Sequence, residues 1–219
     1  MSTGHIFWDW NGTLLDDTPA ALSTLNDMLA KRALEPISME FYRGNFAFPS
    51  KVFYERIGMR IEDSNWDAVA KEYHDIYSTK EKALNSEAVD ALSLVKESGY
   101  RQSVLSALRQ DLLSSQVRGY SLTGYFSHIC GTDNLYGSGK VAAAQGLFAR
   151  VPEVSRSFAV VIGDSIHDKE VADKLGIGCV LCSQGSHSHS RLEAIAPTAR
   201  TLLEAVSIAK TILSSTRKD

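Results

Sequence analysis

The 219-residue chain has three cysteines, Cys130, Cys179 and Cys182, too few for a disulfide framework. Cys179 and Cys182 stand in CxxC spacing, but Ile177 to Leu181 reads as a strand. Residues three apart on a strand point to opposite faces, which argues against a shared metal or redox site. An excess of positive charge is also missing: 23 Lys and Arg against 26 Asp and Glu, interspersed, leave a net charge of -3. That excludes a broad nucleic-acid-binding surface. No apolar run approaches the ~20 residues of a membrane span. Met1 to His5 lack a basic region followed by an apolar stretch, so no secretory leader is expected. Internal repeats, low-complexity tracts and long linkers are absent. These absences predict a reduced, soluble, cytoplasmic protein that binds neither nucleic acid nor membrane. What is present is an ordinary apolar share, 44%, over a length that suits one large domain or a domain with an insert.

The organisation shows in a change of rhythm. His5 to Trp10 is a short apolar and aromatic run, read as a buried strand ending in the turn signal Asn11-Gly12-Thr13. From Thr18 to about Thr79 the pattern is helical only. Thr18 with Pro19 starts a helix carrying Leu22, Leu25 and Leu29 on one face, and Ser38 caps a second. Phe53 and Ile57 mark a short third helix after Pro49-Ser50. Ser64 is expected to cap a fourth, with Trp66, Val69, Tyr73 and Ile76 as its apolar stripe. Four helices in succession predict a small bundle.

Thereafter strands alternate with helices. Ser86 is expected to open a helix closed by Gly99. Strands are predicted at Arg101 to Ser106, His128 to Cys130, Phe158 to Ile162 and Ile177 to Leu181. Helices are predicted at Asp111 to Tyr120, Ser138 to Arg150, Asp168 to Leu175 and around Leu202 to Leu213. This alternation predicts an α/β fold with a doubly wound, Rossmann-like parallel sheet and an inserted helical unit. The expected division is a core of residues 1–15 and 83–219 with a helical cap of 16–82.

Ligands of open parallel sheets bind beyond the carboxyl ends of the strands. There the sequence delivers Asp9, Asn11, Ser106, Asp164 and Asp168, with Lys140 near a helix start behind the flexible Gly137-Ser138-Gly139. A carboxylate nucleophile, paired carboxylates for magnesium, a hydroxyl and an ammonium make a phosphoryl-transfer set.

Asp9-Trp10-Asn11-Gly12-Thr13-Leu14, Ser106, Lys140 and Gly163-Asp164-x-x-x-Asp168 resemble the four motifs of the haloacid dehalogenase superfamily, in order and over nearly the whole chain. The helical insert resembles the cap of phosphoglycolate-phosphatase-like members. The resemblance implies a magnesium-dependent phosphatase acting on a small phosphorylated metabolite through an aspartyl phosphate, as monomer or homodimer. It implies Asp9 as nucleophile and metal ligand, the Asn11 carbonyl, Asp164 and Asp168 as further metal ligands, and Ser106 and Lys140 on the phosphoryl group. The backbone at Trp10, Asn11 and Ala107 would complete the phosphate cradle.

One position departs from the pattern. Phosphatases of this superfamily usually carry Asp at the place of Asn11, as general acid and base, a role typically worth ~10² to 10⁴-fold. Two alternatives follow. One is a phosphonoacetaldehyde-hydrolase-like enzyme, which also carries Trp after the nucleophile and needs a cap lysine, for which Lys51 is the candidate by location. The other is a phosphate-binding regulatory protein of low turnover. The stretch Asn45 to Lys51 is expected to face the site, with Arg43, Lys51 and Arg56 as candidate readers of an anionic substrate. His167 lies inside the fourth motif, and Ser186 to Ser190, with His187 and His189, reads as a polar loop.

Overall fold

The computed structural model describes residues 4–134, 136, 140–150 and 155–215, the side chains of residues 149 and 150 excepted. The first elements are β1 (His5–Trp8), β2 (Leu15–Asp16) and four helices, α1 (Thr18–Ala30), α2 (Met39–Asn45), α3 (Ser50–Arg56) and α4 (Trp66–Ser78). Next come β3 (Ala83–Leu84), α5 (Ala88–Glu97), β4 (Arg101–Arg109), α6 (Gln110–Gly119) and β5 (Ile129–Thr132). The chain continues with α7 (Lys140–Arg150), β6 (Ala159–Gly163), α8 (Ile166–Leu175) and β7 (Gly178–Cys182). It closes with α9 (His189–Glu193), β8 (Thr198–Ala199) and α10 (Leu202–Ser215).

Six strands form one parallel sheet in the order β5-β4-β1-β6-β7-β8. β1 is central, and the winding reverses beside it, so the crevice of a topological switch point opens between β1 and β6. Alternation along the strands feeds two cores. Ile6, Trp8, Val160, Ile162 and Val180 pack under α5 and α10 on one face. Phe7, Val161 and Leu181 pack with Val171 and Leu175 of α8 on the other. Cys179 and Cys182 fall in opposite cores and are not joined in a disulfide. A third cluster, from Leu25, Met28 and Leu29 through Phe53 to Val69, belongs wholly to the helical insert.

Local signals explain most boundaries. Ser38 accepts a hydrogen bond from Phe41 N and caps α2. Gly176, at φ 67°, ends α8 in the left-handed conformation that glycine adopts without strain. Two expected caps are corrected. Asn65, not Ser64, stands at the start of α4, and the Ser64 hydroxyl donates to Glu62. Ser86 precedes α5 without capping it; Asn85 Oδ1 accepts from Glu87 N instead, an Asx turn that leads into the helix. The expected helix start at Ser138 and the Gly137-Ser138-Gly139 approach lie outside the described residues.

Four elements were not expected. β2 and β3 pair antiparallel at the two ends of the insert, Leu15 opposite Leu84 and Asp16 opposite Ala83. β8 adds an edge to the sheet, and α9 begins inside the serine–histidine run that reads as a loop. β4 also runs on past Ser106 to Arg109, with a register shift against β5 between Leu105 and Arg109. Such an irregularity re-aims side chains, and it falls on Ser106 and Ala107.

Candidate active site

Asp9 leaves the end of β1 while still tied to the sheet, its N–H donating to Ile162 O at 2.8 Å. The following turn is tight: Leu15 N donates to Trp10 O and Gly12 N to Leu15 O, both at 2.9 Å. Gly12 has φ +75°, and a Cβ there would lie 2.4 Å from Asp164 Oδ2, so only glycine fits. The indole of Trp10 turns away into the core and donates to Gln116 Oε1 at 2.7 Å. That leaves only its backbone near the strand end.

Asp164 follows β6. Its Oδ2 accepts from Ser186 N, and Thr13 Oγ1 reaches its Oδ1 at 3.4 Å. Asp168 lies in the first turn of α8, where its Oδ2 accepts from Ser165 N at 3.0 Å and Ser165 Oγ at 2.7 Å. This reach back to the helix start is a capping box, and it leaves Oδ1 for other partners. Lys140, the first residue of α7, inserts its ammonium between Asp9 Oδ1, at 2.6 Å, and Asp168 Oδ1. All four groups are buried.

Asp9, Asp164 and Asp168 present carboxylate oxygens within 4.8 Å of one another. Burial pushes Asp9 well up; Lys140 opposes this, and the two neighbouring carboxylates add to it. Burial and Asp168 likewise raise Asp164. For Asp168, burial is outweighed by Lys140 and Ser165, which hold it below the usual range. Burial disfavours the Lys140 ammonium, yet its two carboxylates more than compensate and raise its pKa. Fully ionised, three carboxylates against one ammonium would carry two surplus negative charges, which the burial raising Asp9 and Asp164 disfavours unless a cation offsets them. Hard oxygen donors with that surplus match a divalent cation such as magnesium, so the residues present fit the expected metal.

The Asn11 side chain has partners outside this cluster. Its side-chain amide donates to Asp17 Oδ2 at 2.7 Å and to the Tyr77 hydroxyl at 3.1 Å. Tyr77 itself donates to Asp17, and Gly12 N donates to Asp17 Oδ1 at 2.7 Å. Asp17 is thus a buried carboxylate with three donors. Burial raises its pKa, and the donors work against that rise. Nothing in the sequence singled it out, because it reads as the residue before a helix.

A cavity of about 160 Å³ lies over the cluster, between the sheet end and the insert. Asp9, Asn11, Ser106, Ala107, Lys140 and Asp164 form its floor. Ser106 is buried, and its Oγ accepts from Leu108 N at 3.1 Å. Phe46, Phe48 and Ser50 bring the α2–α3 connection to the cavity wall. His167 lines it too, with its ring 5.1 Å from Phe48.

The expected cationic readers have other partners. Arg43 donates to the carbonyls of Gln184 and Gly185, and Arg56 to that of Asn45. Lys51 pairs with Asp63 and does not line the cavity. His187 and His189 diverge: His187 Nε2 meets Phe46 O at 2.9 Å, while His189 Nδ1 meets Ser183 Oγ at 3.1 Å.

Comparison with known proteins agrees with the geometry. Over 206 residues the chain is 28% identical to a phosphoglycolate phosphatase of Caulobacter vibrioides, covering 84% of each. It is 25% identical to the probable phosphatase IndB of Dickeya dadantii, covering 88% of this chain and 86% of that one. The solved structure of a predicted phosphatase from Clostridium acetobutylicum superposes with a TM-score of 0.78 at 18% identity, covering 98% of this chain and all of that one. A predicted phosphoglycolate phosphatase from Haemophilus somnus gives 0.73 at 16%, covering 95% and 98%. At those identities the two structures establish the fold alone. The family described as haloacid dehalogenase-like hydrolase matches residues 6–182, and the chain belongs to that family.

Proposed function

We propose that this protein is a magnesium-dependent phosphatase that hydrolyses a small phosphorylated metabolite through an aspartyl phosphate on Asp9. The observation that carries the reading is the buried cluster of Asp9, Asp164 and Asp168 bridged by Lys140 at the sheet's switch point. Relatives named as phosphatases support it.

In this reading Asp9, Asp164, Asp168 and the Asn11 carbonyl would hold Mg²⁺, which when bound offsets negative charge on the phosphoryl oxygens. Lys140 and Ser106 hold the phosphoryl group, with backbone N–H groups near Trp10, Asn11 and Ala107 completing its cradle. Asp9 attacks phosphorus, the bond to the leaving oxygen breaks, and that oxygen leaves as an alcohol with a proton from the site or solvent. Water then attacks the phosphorus, releasing inorganic phosphate and restoring Asp9. Residues 16–82 act as a cap over a core of 1–15 and 83–219, and closure keeps bulk water from the acyl phosphate.

One observation favours a second reading. The Asn11 amide has no proton to give to a leaving group and is engaged with Asp17. A phosphate-binding protein of low turnover would have such a site. Lys51, ion-paired outside the cavity, lends no support to the phosphonate reading. The test is phosphate release from a panel of phosphomonoesters, with and without magnesium, for wild type and Asp9→Asn. Magnesium-dependent release that Asp9→Asn abolishes supports the phosphatase. Tight phosphate or vanadate binding without release supports the binder.

A further inference from the structure

The cavity above the cluster has a wall rich in aromatic side chains. Its cap side is built from Tyr42, Phe46, Phe48, Tyr54, Trp66 and Tyr73. Two aromatic contacts tie this wall to the other side of the molecule. Trp66 stacks on Tyr136 with ring centroids 6.2 Å apart, and Phe48 lies 5.1 Å from His167. Aromatic side chains supply large contact area in a fixed geometry.

Charge is distributed against an anionic leaving group. Among the described lining residues only Lys140 and Arg109 carry a fixed positive charge. Lys140 is committed to Asp9 and Asp168. Arg109 makes two hydrogen bonds to Asp111, at 2.6 and 2.8 Å, so a neighbouring carboxylate accompanies its charge. Asp17 faces the same cavity from the cap side of Asn11. Burial raises the phenols of Tyr42, Tyr54 and Tyr73, so they remain neutral hydrogen-bonding groups. A carboxylate on the substrate, added to its phosphate, would enter this wall with no uncommitted cation among the described lining residues, and burying an unpaired charge is costly. The flat faces of Phe48, Tyr54, Trp66 and Tyr73 offer a planar group contact area in a fixed geometry, beyond the floor that takes the phosphoryl group.

We propose that the leaving group is an uncharged alcohol bearing one aromatic or alicyclic ring, seated against Phe48, Tyr54, Trp66 and Tyr73, rather than a carboxylate-bearing alcohol such as glycolate. The choice of substrate rests on the phosphatase reading; the preference of the wall for a ring does not.

Two measurements on the full chain separate them. The first compares kcat/KM for benzyl phosphate and 2-phosphoglycolate with magnesium, both being esters of primary alcohols. The second compares calorimetric binding of benzylphosphonate and phosphonoacetate, neither of which needs turnover. The expected result is at least a tenfold preference for the benzyl compound in both. Phe48→Arg, which places a cation on the wall, should narrow or reverse the preference. If no ester is hydrolysed but benzylphosphonate still binds tenfold more tightly, the phosphatase reading fails and the ring pocket stands. Phosphoglycolate hydrolysed in preference to benzyl phosphate, or equal binding of the two phosphonates, overturns the proposal.

Discussion

Asn11 Nδ2 lies 2.7 Å from Asp17 Oδ2, and the Tyr77 hydroxyl completes the triangle by bonding both. An amide at position 11 and a buried carboxylate at position 17 are therefore a matched pair. Asp at position 11 would set two carboxylates at that separation, and one would have to take a proton.

The first prediction follows from this pairing. Asn11→Asp alone should destabilise the chain by about 1–3 kcal/mol at pH 8, through a lost hydrogen bond and like-charge repulsion. The loss should shrink near pH 5, where the pair shares a proton. The double variant Asn11→Asp/Asp17→Asn reverses the donor and acceptor and should recover most of the stability at pH 8. Urea unfolding of the three chains at both pH values checks this. If acid catalysis limits turnover, the double variant should also hydrolyse phosphomonoesters at least tenfold faster than wild type.

Lys140 carries the second prediction. Removing one partner from a buried ion cluster costs about 3–5 kcal/mol, so Lys140→Met should lose that much in metal-free buffer. Magnesium should restore part of it and should raise the melting temperature of the wild-type chain. Asp164→Asn keeps both ion pairs of Lys140 yet should remove most of the magnesium-induced rise. Thermal melts with and without magnesium decide the matter. A wild-type melting temperature unmoved by millimolar magnesium would count against the metal site.

The parts legible in the sequence are those written in local rhythm. β6 is a continuous apolar run because it is covered on both faces, and β1 announces itself the same way. Strand ends then locate Asp9 and Asp164, whereas Ser106 lies inside β4, at the irregularity before its end at Arg109. The two-residue strands β2, β3 and β8 are too short to show a period. The partner of Asn11 was hidden for another reason: Asp17 is six residues away, and only the turn through Gly12 brings the two together. Trp66 and Tyr73 are legible as an apolar stripe, but helical spacing does not say what covers it. Here they line the cavity as well as flanking the helical core.

A third prediction concerns pH. His187 is buried, its Nε2 meets the Phe46 carbonyl, and Arg191 donates to the same oxygen at 3.0 Å. Burial, reinforced by the Arg191 charge, lowers its pKa from 6.5 to about 4. The unfolded chain takes up this proton first as pH falls, so the histidine's contribution is intact above about pH 6.5 and is lost on the way down to about 4. A shift of that size corresponds to about 3 kcal/mol. Unfolding between pH 7.5 and 4.5 should show wild type losing more stability than His187→Gln, with the gap closing as pH falls. Parallel losses in the two chains would exclude His187 as the source.

The last prediction uses a glycine to move a single carboxylate. A Cβ at Gly185 would lie 2.2 Å from Asp164 Oδ2 and 2.4 Å from the Gly12 carbonyl. Neither can withdraw freely, because Asp164 is held by Ser186 N and Gly12 by the turn after β1. Gly185→Ala should therefore displace Asp164 while leaving the apolar cores untouched. The expected result is a cooperative fold, weakened by about 1–3 kcal/mol through strain, with magnesium affinity reduced at least tenfold. Gly44→Ala is the control: it lies in α2, and a Cβ there meets nothing within 4 Å. That change should leave magnesium binding unaltered and stabilise the chain by roughly 0.5–1 kcal/mol through helix propensity. Calorimetric magnesium titrations of both variants beside wild type distinguish a displaced ligand from a general weakening. Equal affinity in all three would mean that Asp164 does not hold the ion.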